Sequence, residues 1–182
     1  MLKPKRQFLI ILEGPMGSGK STVAGLLKGK LTKTVVLGID KIKWFQSDFK
    51  RGDIQNSKVE EVVYAMARTY LRQGFSVILE NGFWKNTLRA KYRNAYLRYA
   101  KRNKIKTFIY HLTTPAEVSF ERVAKRKAKS KSQKLHPPNP LQRIRRNITE
   151  HEKRRFRDGE DIDTVKHSPL QITKLIIRDL QK

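Results

Sequence analysis

The sequence predicts an α/β protein in which one parallel sheet carries helices on both faces. Apolar runs of strand length alternate along the 182 residues with segments of helical length. Such alternation is typical of parallel strands joined by crossover helices. A glycine-rich loop, residues 14–21, also lies between the first apolar run and a helix-forming segment. Because no stretch resembles an interdomain linker, we expect a single domain over residues 1–182.

The glycine-rich loop matches the phosphate-binding pattern G-x-x-x-x-G-K-[ST] at every fixed position. Glycines let the backbone curl so that successive N–H groups point at phosphate oxygens, and the following helix N-terminus adds partial positive charge. The lysine can reach the β- and γ-phosphates, and the serine hydroxyl suits Mg²⁺, which prefers oxygen ligands. The nucleotide-binding residues expected here are Gly14, Pro15, Met16, Gly17, Ser18, Gly19, Lys20, Ser21 and Thr22.

The other elements follow from apolar periodicity and from helix start signals. Three capping boxes, at Ser57–Glu60, Thr114–Glu117 and Ser168–Gln171, each predict a helix N-terminus. Residues 41–46 suggest a short helix, and the proline-containing residues 127–140 a loop. The predicted strands are 7–12, 34–39, 75–80, 106–112 and 161–165, and the main predicted helices are 21–30, 57–73, 85–103, 141–156 and the segment after Ser168.

Charge is the second informative feature of the sequence. The chain has 41 Lys and Arg against 16 Asp and Glu, a formal net charge of +25, and it has no cysteine. Residues 81–149 hold 19 Lys or Arg and two acids, a net charge of +17. Such a field attracts polyanions, so we expect a nucleic-acid partner, RNA or DNA. A generally basic, solubilising surface is the alternative. The absence of cysteine excludes disulfides and thiolate chemistry.

Helix 85–103 carries tyrosines at helical spacing, including Tyr92, Tyr96 and Tyr99. These rings could stack on bases. More often such a stripe packs on the sheet, and we favour that interpretation.

Polar residues follow two of the predicted strands at the edge where ligands of open α/β sheets bind. Asp40 can accept the proton of an acceptor hydroxyl, or it can cap the next helix. Glu80 is a candidate metal ligand together with Ser21, and Asn81 suits a turn close to the substrate. We therefore expect the acceptor site at this edge of the sheet.

Arginines lie on both sides of the predicted loop 127–140. Arg122 and Arg126 are one helical turn apart before it, and Arg143, Arg145 and Arg146 follow it. Arginines beside a mobile loop can close over the phosphates, so Arg122 and Arg126 are candidate nucleotide ligands and Arg126 a candidate catalytic residue. A solvated basic face is the alternative reading of this stretch.

These motifs together resemble small P-loop kinases of the polynucleotide kinase, zeta-toxin and chloramphenicol phosphotransferase type. The resemblance covers nearly the whole chain: residues 14–21, the segment ending at Asp40, residues 112–126, and residues 162–168. It implies a nucleoside-kinase-like P-loop NTPase fold, a three-layer sandwich with about five parallel strands and a small lid at about 127–140. It also implies a substrate role for Arg89. Glu80 departs from the aspartate that is more usual in the family.

The expected function is transfer of the γ-phosphate of ATP, with Mg²⁺, to a hydroxyl of a nucleic acid. Lys20, Asp40 and Arg126 are the expected catalytic residues, and Asp40, Asn81 and Arg89 the expected substrate contacts. Two alternatives stay open: a small-molecule kinase, and a nucleic-acid-binding NTPase that transfers nothing. We expect no membrane association, because residues 7–12 are too short to span a bilayer, and the nucleotide motif favours the cytoplasm.

Overall fold

The computed structural model describes residues 1–50, 52–129 and 140–182, and for residues 126–129 and 140 it describes the backbone alone. Its centre is a five-stranded sheet in which every neighbouring pair is parallel. The spatial order is β2-β3-β1-β4-β5, so the first strand is the middle one and all six of its residues are buried. The strands are β1 (Phe8–Glu13), β2 (Thr34–Leu37), β3 (Ser76–Glu80), β4 (Lys106–Thr113) and β5 (Glu160–Asp163).

Helices connect the strands and cover both faces of the sheet, which confirms the predicted α/β sandwich. A short 3₁₀ turn, Lys43–Phe45, follows the second helix directly. No helix in the described ranges is long and apolar enough to cross a membrane. The helices are α1 (Lys20–Lys30), α2 (Ile39–Ile42), α3 (Asp53–Arg72), α4 (Ala90–Arg102), α5 (Ala116–Lys129), α6 (Pro140–Arg154) and α7 (Pro169–Gln181).

Alternation along β1 divides the core into two layers. Leu9 and Ile11 face one cluster, which α3 and α4 complete with residues such as Val63 and Tyr96. Phe8, Ile10 and Leu12 face the other cluster, which belongs to α1 and α7. Successive strand side chains point to opposite faces, so a central strand buried on both faces reads as an unbroken apolar run.

One predicted helix start is wrong. The S-x-x-E pattern at Ser57 predicted a cap, but α3 begins at Asp53 after Gly52, and both Ser57 and Glu60 are buried inside the helix. Residues three apart also share a face within a helix, so the pattern alone does not distinguish a cap from a buried turn. The box at Ser168 is confirmed, because its side chain accepts from the Gln171 N–H and Gln171 returns a bond.

Two other expectations have clear outcomes. The helix predicted at 85–103 begins at Ala90, and its tyrosine stripe packs inward: Tyr92 and Tyr96 belong to the core, as the packing interpretation predicts. The expected lid, 127–140, lies mostly outside the described residues. Its two flanks, α5 and α6, are described and pack on each other.

Candidate active site

The phosphate loop leaves the central strand at its carboxyl end and opens α1. The curled backbone depends on glycine at Gly14 and Gly17, whose φ angles are 152° and 80°. Lys20 folds back over the loop, and its ammonium donates to the carbonyl oxygens of Gly14 and Pro15, both at 2.8 Å. The Lys20 ammonium therefore lies against the loop, where the oxygen of a bound phosphate can replace the two carbonyl oxygens as its hydrogen-bond acceptor.

The helices on either side of the expected lid hold the tip of the loop. The Met16 N–H donates to Asn147 Oδ1 of α6 at 2.9 Å, and the Ser119 hydroxyl of α5 donates to the Met16 carbonyl. A side chain at Gly17 would lie 2.9 Å from the Ser119 carbonyl oxygen, so this approach also requires glycine. The sequence analysis missed Asn147 and Ser119, although Asn147 lies one helical turn after Arg143.

Beneath the loop lies a cluster of buried charges that the sequence analysis also missed. Glu13, the last residue of β1, is fully buried, and Arg93 Nε donates to its Oε1 at 2.6 Å. Arg93 is 1% exposed and also holds Asp158 through two bonds of 2.6 and 3.1 Å. His111 Nδ1 of β4 lies 3.1 Å from Glu13 Oε2. Burying charges costs free energy unless they are paired, so these partners stabilise one another.

His151 of α6 and Arg155, the residue after that helix, extend this cluster. His151 is fully buried, and neither ring nitrogen has a hydrogen-bond partner within the described part of the chain. Burial, with the positive charges of Lys20, Arg155 and His111, lowers the pKa of His151 to about 4. Arg155 forms a two-fold pair with Asp161 of β5. We call Glu13, Arg93, His111, His151 and Arg155, with Asp158 and Asp161, the buried ion cluster.

Asp40 lies on α2, just past the carboxyl end of β2. Its side chain is 83% exposed and accepts a bond from Lys43. Partial desolvation raises its pKa, but Lys43 and the charges of Lys20 and Arg89 bring the pKa below its ordinary value. Gly38, not Asp40, is the N-cap residue, so the capping interpretation is wrong. Asp40 therefore lies at the same carboxyl edge of the sheet as the phosphate loop, which follows β1, and Asn81, which follows β3.

Glu80 ends β3 beside the turn that carries Asp40. Its Oε1 lies 3.3 Å from the Lys41 ammonium, whereas its Oε2 is buried and has no hydrogen-bond partner among the described residues. A side chain at Gly38 would come within 2.7 Å of the Glu80 carbonyl oxygen, so these two strand ends pack closely. Ser21, the other expected metal ligand, is exposed on the first turn of α1.

Asn81 and Arg89 form one polar group with two residues of the surrounding helices. Arg89 donates to Asn81 Oδ1 and, at 3.2 Å, to Glu60 Oε2. Asn81 Nδ2 donates to the same Glu60 oxygen at 2.7 Å, and the Tyr96 hydroxyl donates to Glu60 Oε1 at 3.0 Å. Glu60, which the sequence pattern suggested as a cap, instead orients the two expected substrate residues.

The arginines on the two sides of the expected lid have different partners in the structure. Arg122 donates to the hydroxyl and the carbonyl of Thr164 at 2.8 and 2.7 Å, so it ties α5 to the segment after β5. The side chain of Arg126 lies outside the described residues. Arg145 pairs with Glu117, and exposed Arg143 is one turn before Asn147, on the face of α6 that contacts the loop.

A glycine-rich loop that follows the central strand, and a lysine folded over it, define a P-loop nucleotide-binding protein with the small-kinase architecture. Residues 9–151 match the AAA domain family. Since this match spans most of the chain, the protein belongs to that family. No curated protein matches the chain in sequence.

Solved structures with similar folds include proteins with different names. The tunicamycin resistance protein of Deinococcus radiodurans superposes with a TM-score of 0.65 at 16% identity, covering 96% of each chain. A gluconokinase from Sinorhizobium meliloti gives 0.63 at 16%, covering 96% of this chain and 93% of its own. A chain of the Pnkp1/Rnl/Hen1 RNA repair complex gives 0.63 at 18%, covering 81% and 45%. At such identities the likeness establishes the fold alone.

Proposed function

We propose that the protein is an ATP-dependent kinase that moves the γ-phosphate of ATP to a hydroxyl of a nucleic acid. The observation that carries the proposal is that Asp40 follows β2 at the same carboxyl edge of the parallel sheet as the phosphate loop, which follows β1. A carboxylate at this edge is suited to accept the proton of a hydroxyl that attacks the γ-phosphoryl group. A simple NTPase does not need an acceptor-side carboxylate.

In the proposed reaction the acceptor oxygen attacks the γ-phosphorus, the bond to the β-phosphate oxygen breaks, and ADP leaves. Asp40, which like an ordinary aspartate is ionised at neutral pH, orients the hydroxyl and takes its proton. Lys20 and the N–H groups of the loop bind the phosphates. In this proposal the acceptor binds beside Arg89, which Glu60 and Asn81 hold in one orientation.

The site residues fit a hard divalent cation. Glu80 Oε2 is a buried carboxylate oxygen to which no described residue donates, and Ser21 offers a hydroxyl. No cluster of three acidic or histidine ligands occurs in the ranges that the structure describes. A magnesium site with few protein ligands fits this, since Mg²⁺ commonly relies on phosphates and water. When bound, the ion neutralises charge on the transferred group.

A nucleic-acid acceptor is supported by the net charge of +17 in residues 81–149. Part of that charge is internal, because Arg89, Arg93 and Arg122 are committed to partners within the protein. Among the described residues of this segment, exposed cations on α4 and α6 include Lys91, Arg98, Lys101, Arg102, Arg143 and Arg146. The fold similarity to a chain of an RNA repair complex agrees with this acceptor.

Transfer of label from γ-labelled ATP to single-stranded RNA and DNA, and to a panel of sugars and nucleosides, tests the proposal. We expect labelled oligonucleotide, and we expect Lys20→Ala to lower transfer by at least about 10³-fold. The variant should stay folded, because Lys20 is only half-buried and alanine suits the first turn of α1. Label in a metabolite alone would establish the small-molecule alternative. Release of inorganic phosphate without any labelled acceptor would establish the NTPase alternative.

A further inference from the structure

Among the described residues, two aromatic side chains are exposed, and they are neighbours. Trp44 is 51% exposed and Phe45 is 80% exposed, whereas every other described Phe, Tyr and Trp is buried or half-buried. Both lie in the 3₁₀ turn Lys43–Phe45, which continues α2. Scattered exposed apolar residues are common, but two adjacent rings next to a candidate active site are not explained by the fold.

The turn is anchored to the protein, so the rings are presented in a defined place. Phe49 packs on the core beneath the turn, and Trp44 meets it edge to face, with 6.0 Å between ring centroids. Phe45 has no ring contact within the described part of the chain. Trp44 is therefore held by its contact with Phe49, whereas the Phe45 ring projects into solvent.

A single lysine links this turn to Asp40. The Lys43 ammonium binds the Asp40 carboxylate and also lies 5.3 Å from the centroid of the Trp44 ring. Lys43 is itself mostly buried between them. One side chain, that of Lys43, thus contacts both the Trp44 ring and the carboxylate proposed to act on the acceptor hydroxyl.

The surroundings of the rings suit a flat, polyanionic ligand. Residues 41–50 contain three lysines, Lys41, Lys43 and Lys50, and one acid, Asp48. Bases stack on exposed aromatic side chains while nearby cations bind the phosphates between them. A second copy of this strongly basic chain does not gain from the same cations.

We propose that Trp44 and Phe45 form a stacking platform for an unpaired base of the acceptor strand, close to the hydroxyl that Asp40 addresses. The placement of that hydroxyl rests on the proposed function, but the platform itself is a binding site and can be tested without phosphate transfer. Because a base inside a duplex is stacked on both faces and only the end pairs expose one, the platform favours single strands over a long blunt duplex.

The test uses the two tryptophans of the chain. Trp84→Phe leaves Trp44 as the sole tryptophan, and it removes an indole N–H that has no partner among the described residues, so the fold should tolerate it. In this variant we expect a single-stranded oligonucleotide to quench Trp44 fluorescence to saturation, and a blunt duplex of the same sequence to quench it far less.

Phe45→Ala tests the second ring in the wild-type background. We expect the KM for a single-stranded oligonucleotide to rise about 10-fold, while the KM for ATP stays within about two-fold. Leu170→Ala, at an exposed leucine that begins α7, is the control and should change neither value.

The outcomes separate the platform from the proposed function. Quenching of Trp44 by oligonucleotides that never accept phosphate would support the platform and contradict the proposed acceptor. Phosphate transfer with an unchanged oligonucleotide KM in Phe45→Ala would overturn the platform alone. Equal quenching by blunt duplex, or a change in oligomeric state of Phe45→Ala in sedimentation, would also overturn it, the latter in favour of a protein interface.

Discussion

The two sides of the sheet's carboxyl edge differ in how deeply their charges are buried. Under the phosphate loop, Glu13 and Arg93 are 0% and 1% exposed and pair within the buried ion cluster. At the ends of β2 and β3, where we propose that the acceptor binds, Asp40 and Phe45 are more than three-quarters exposed, although Glu60 and Asn81 beside them are buried. Buried charges depend on every partner, whereas exposed ones do not. The support of the phosphate loop is therefore fixed by the fold, whereas exposed Asp40 and Phe45 can change with little effect on stability.

A rigid scaffold with functional side chains at exposed strand ends and loops is a general arrangement, in which the exposed side chains can vary while the fold stays the same.

The largest expected effect tests whether the buried ion cluster carries stability. Arg93→Met leaves Glu13 buried without its main partner, so we expect the free energy of unfolding to fall by about 4 kcal/mol. Denaturant titration measures this. Arg98→Met, on the exposed face of the same helix, is the matched control and should stay within about 0.5 kcal/mol. Equal free energies of unfolding for the two variants would show that the buried ion cluster contributes no more to stability than an exposed charge does.

The second prediction concerns the pH dependence of stability, through His151. Its pKa is about 4 in the folded protein and 6.5 ordinarily, so between these values the unfolded chain binds more protons. Stability contributed by the neutral ring is present above pH 6.5 and is lost as the pH falls towards 4, by up to about 3 kcal/mol.

His151→Leu should therefore flatten the stability profile between about pH 4 and 6.5, as followed by thermal unfolding at several pH values. His167→Leu, at an exposed histidine, should leave the profile unchanged. An unchanged slope in His151→Leu would show that the buried ring titrates normally.

The sequence predicted most of the fold because its signals are local. Buried parallel strands appear as unbroken apolar runs, and the phosphate loop is a contiguous pattern whose setting between strand and helix can be checked in the sequence. The cap at Ser168 was predictable for the same reason. The start of α3 was not, because Glu60 has the right spacing for a cap but its partners, Asn81 and Arg89, lie 21 and 29 residues away.

The buried ion cluster could not be predicted from charge counts. Arg93 lies in a basic helix and resembles a surface cation, and its partners Glu13 and Asp158 are 80 and 65 residues distant. One signal was present: Arg93 is three residues before Tyr96 and so lies beside the inward stripe of the helix. That position excludes Arg93 from the basic residues that can contact a polyanion.

On the acceptor side, Asp40→Asn should separate chemistry from folding. The amide cannot take the proton of the attacking hydroxyl, so we expect kcat for transfer to fall on the order of 10²-fold. ATP binding and the unfolding midpoint should stay close to wild type, because the Asp40 side chain is exposed. Asp48→Asn, in the same segment, is the control. An unchanged kcat in Asp40→Asn would contradict the proposed role of this carboxylate.

The smallest expected effect concerns the outward charge of α4. Arg98 is exposed on α4, whereas Lys174 is exposed on α7, and the two helices cover opposite faces of the sheet. If α4 contacts the backbone of an oligonucleotide, Arg98→Ala should raise its KM about two- to three-fold for all sequences alike, since phosphate contacts carry no sequence code. It should also lower the slope of log affinity against log salt by about one, because one fewer counterion is released.

Lys174→Ala removes the same charge and should change neither quantity. Equal effects of the two substitutions would mean that the net charge of the chain acts as a whole, with no basic face directed at the acceptor strand.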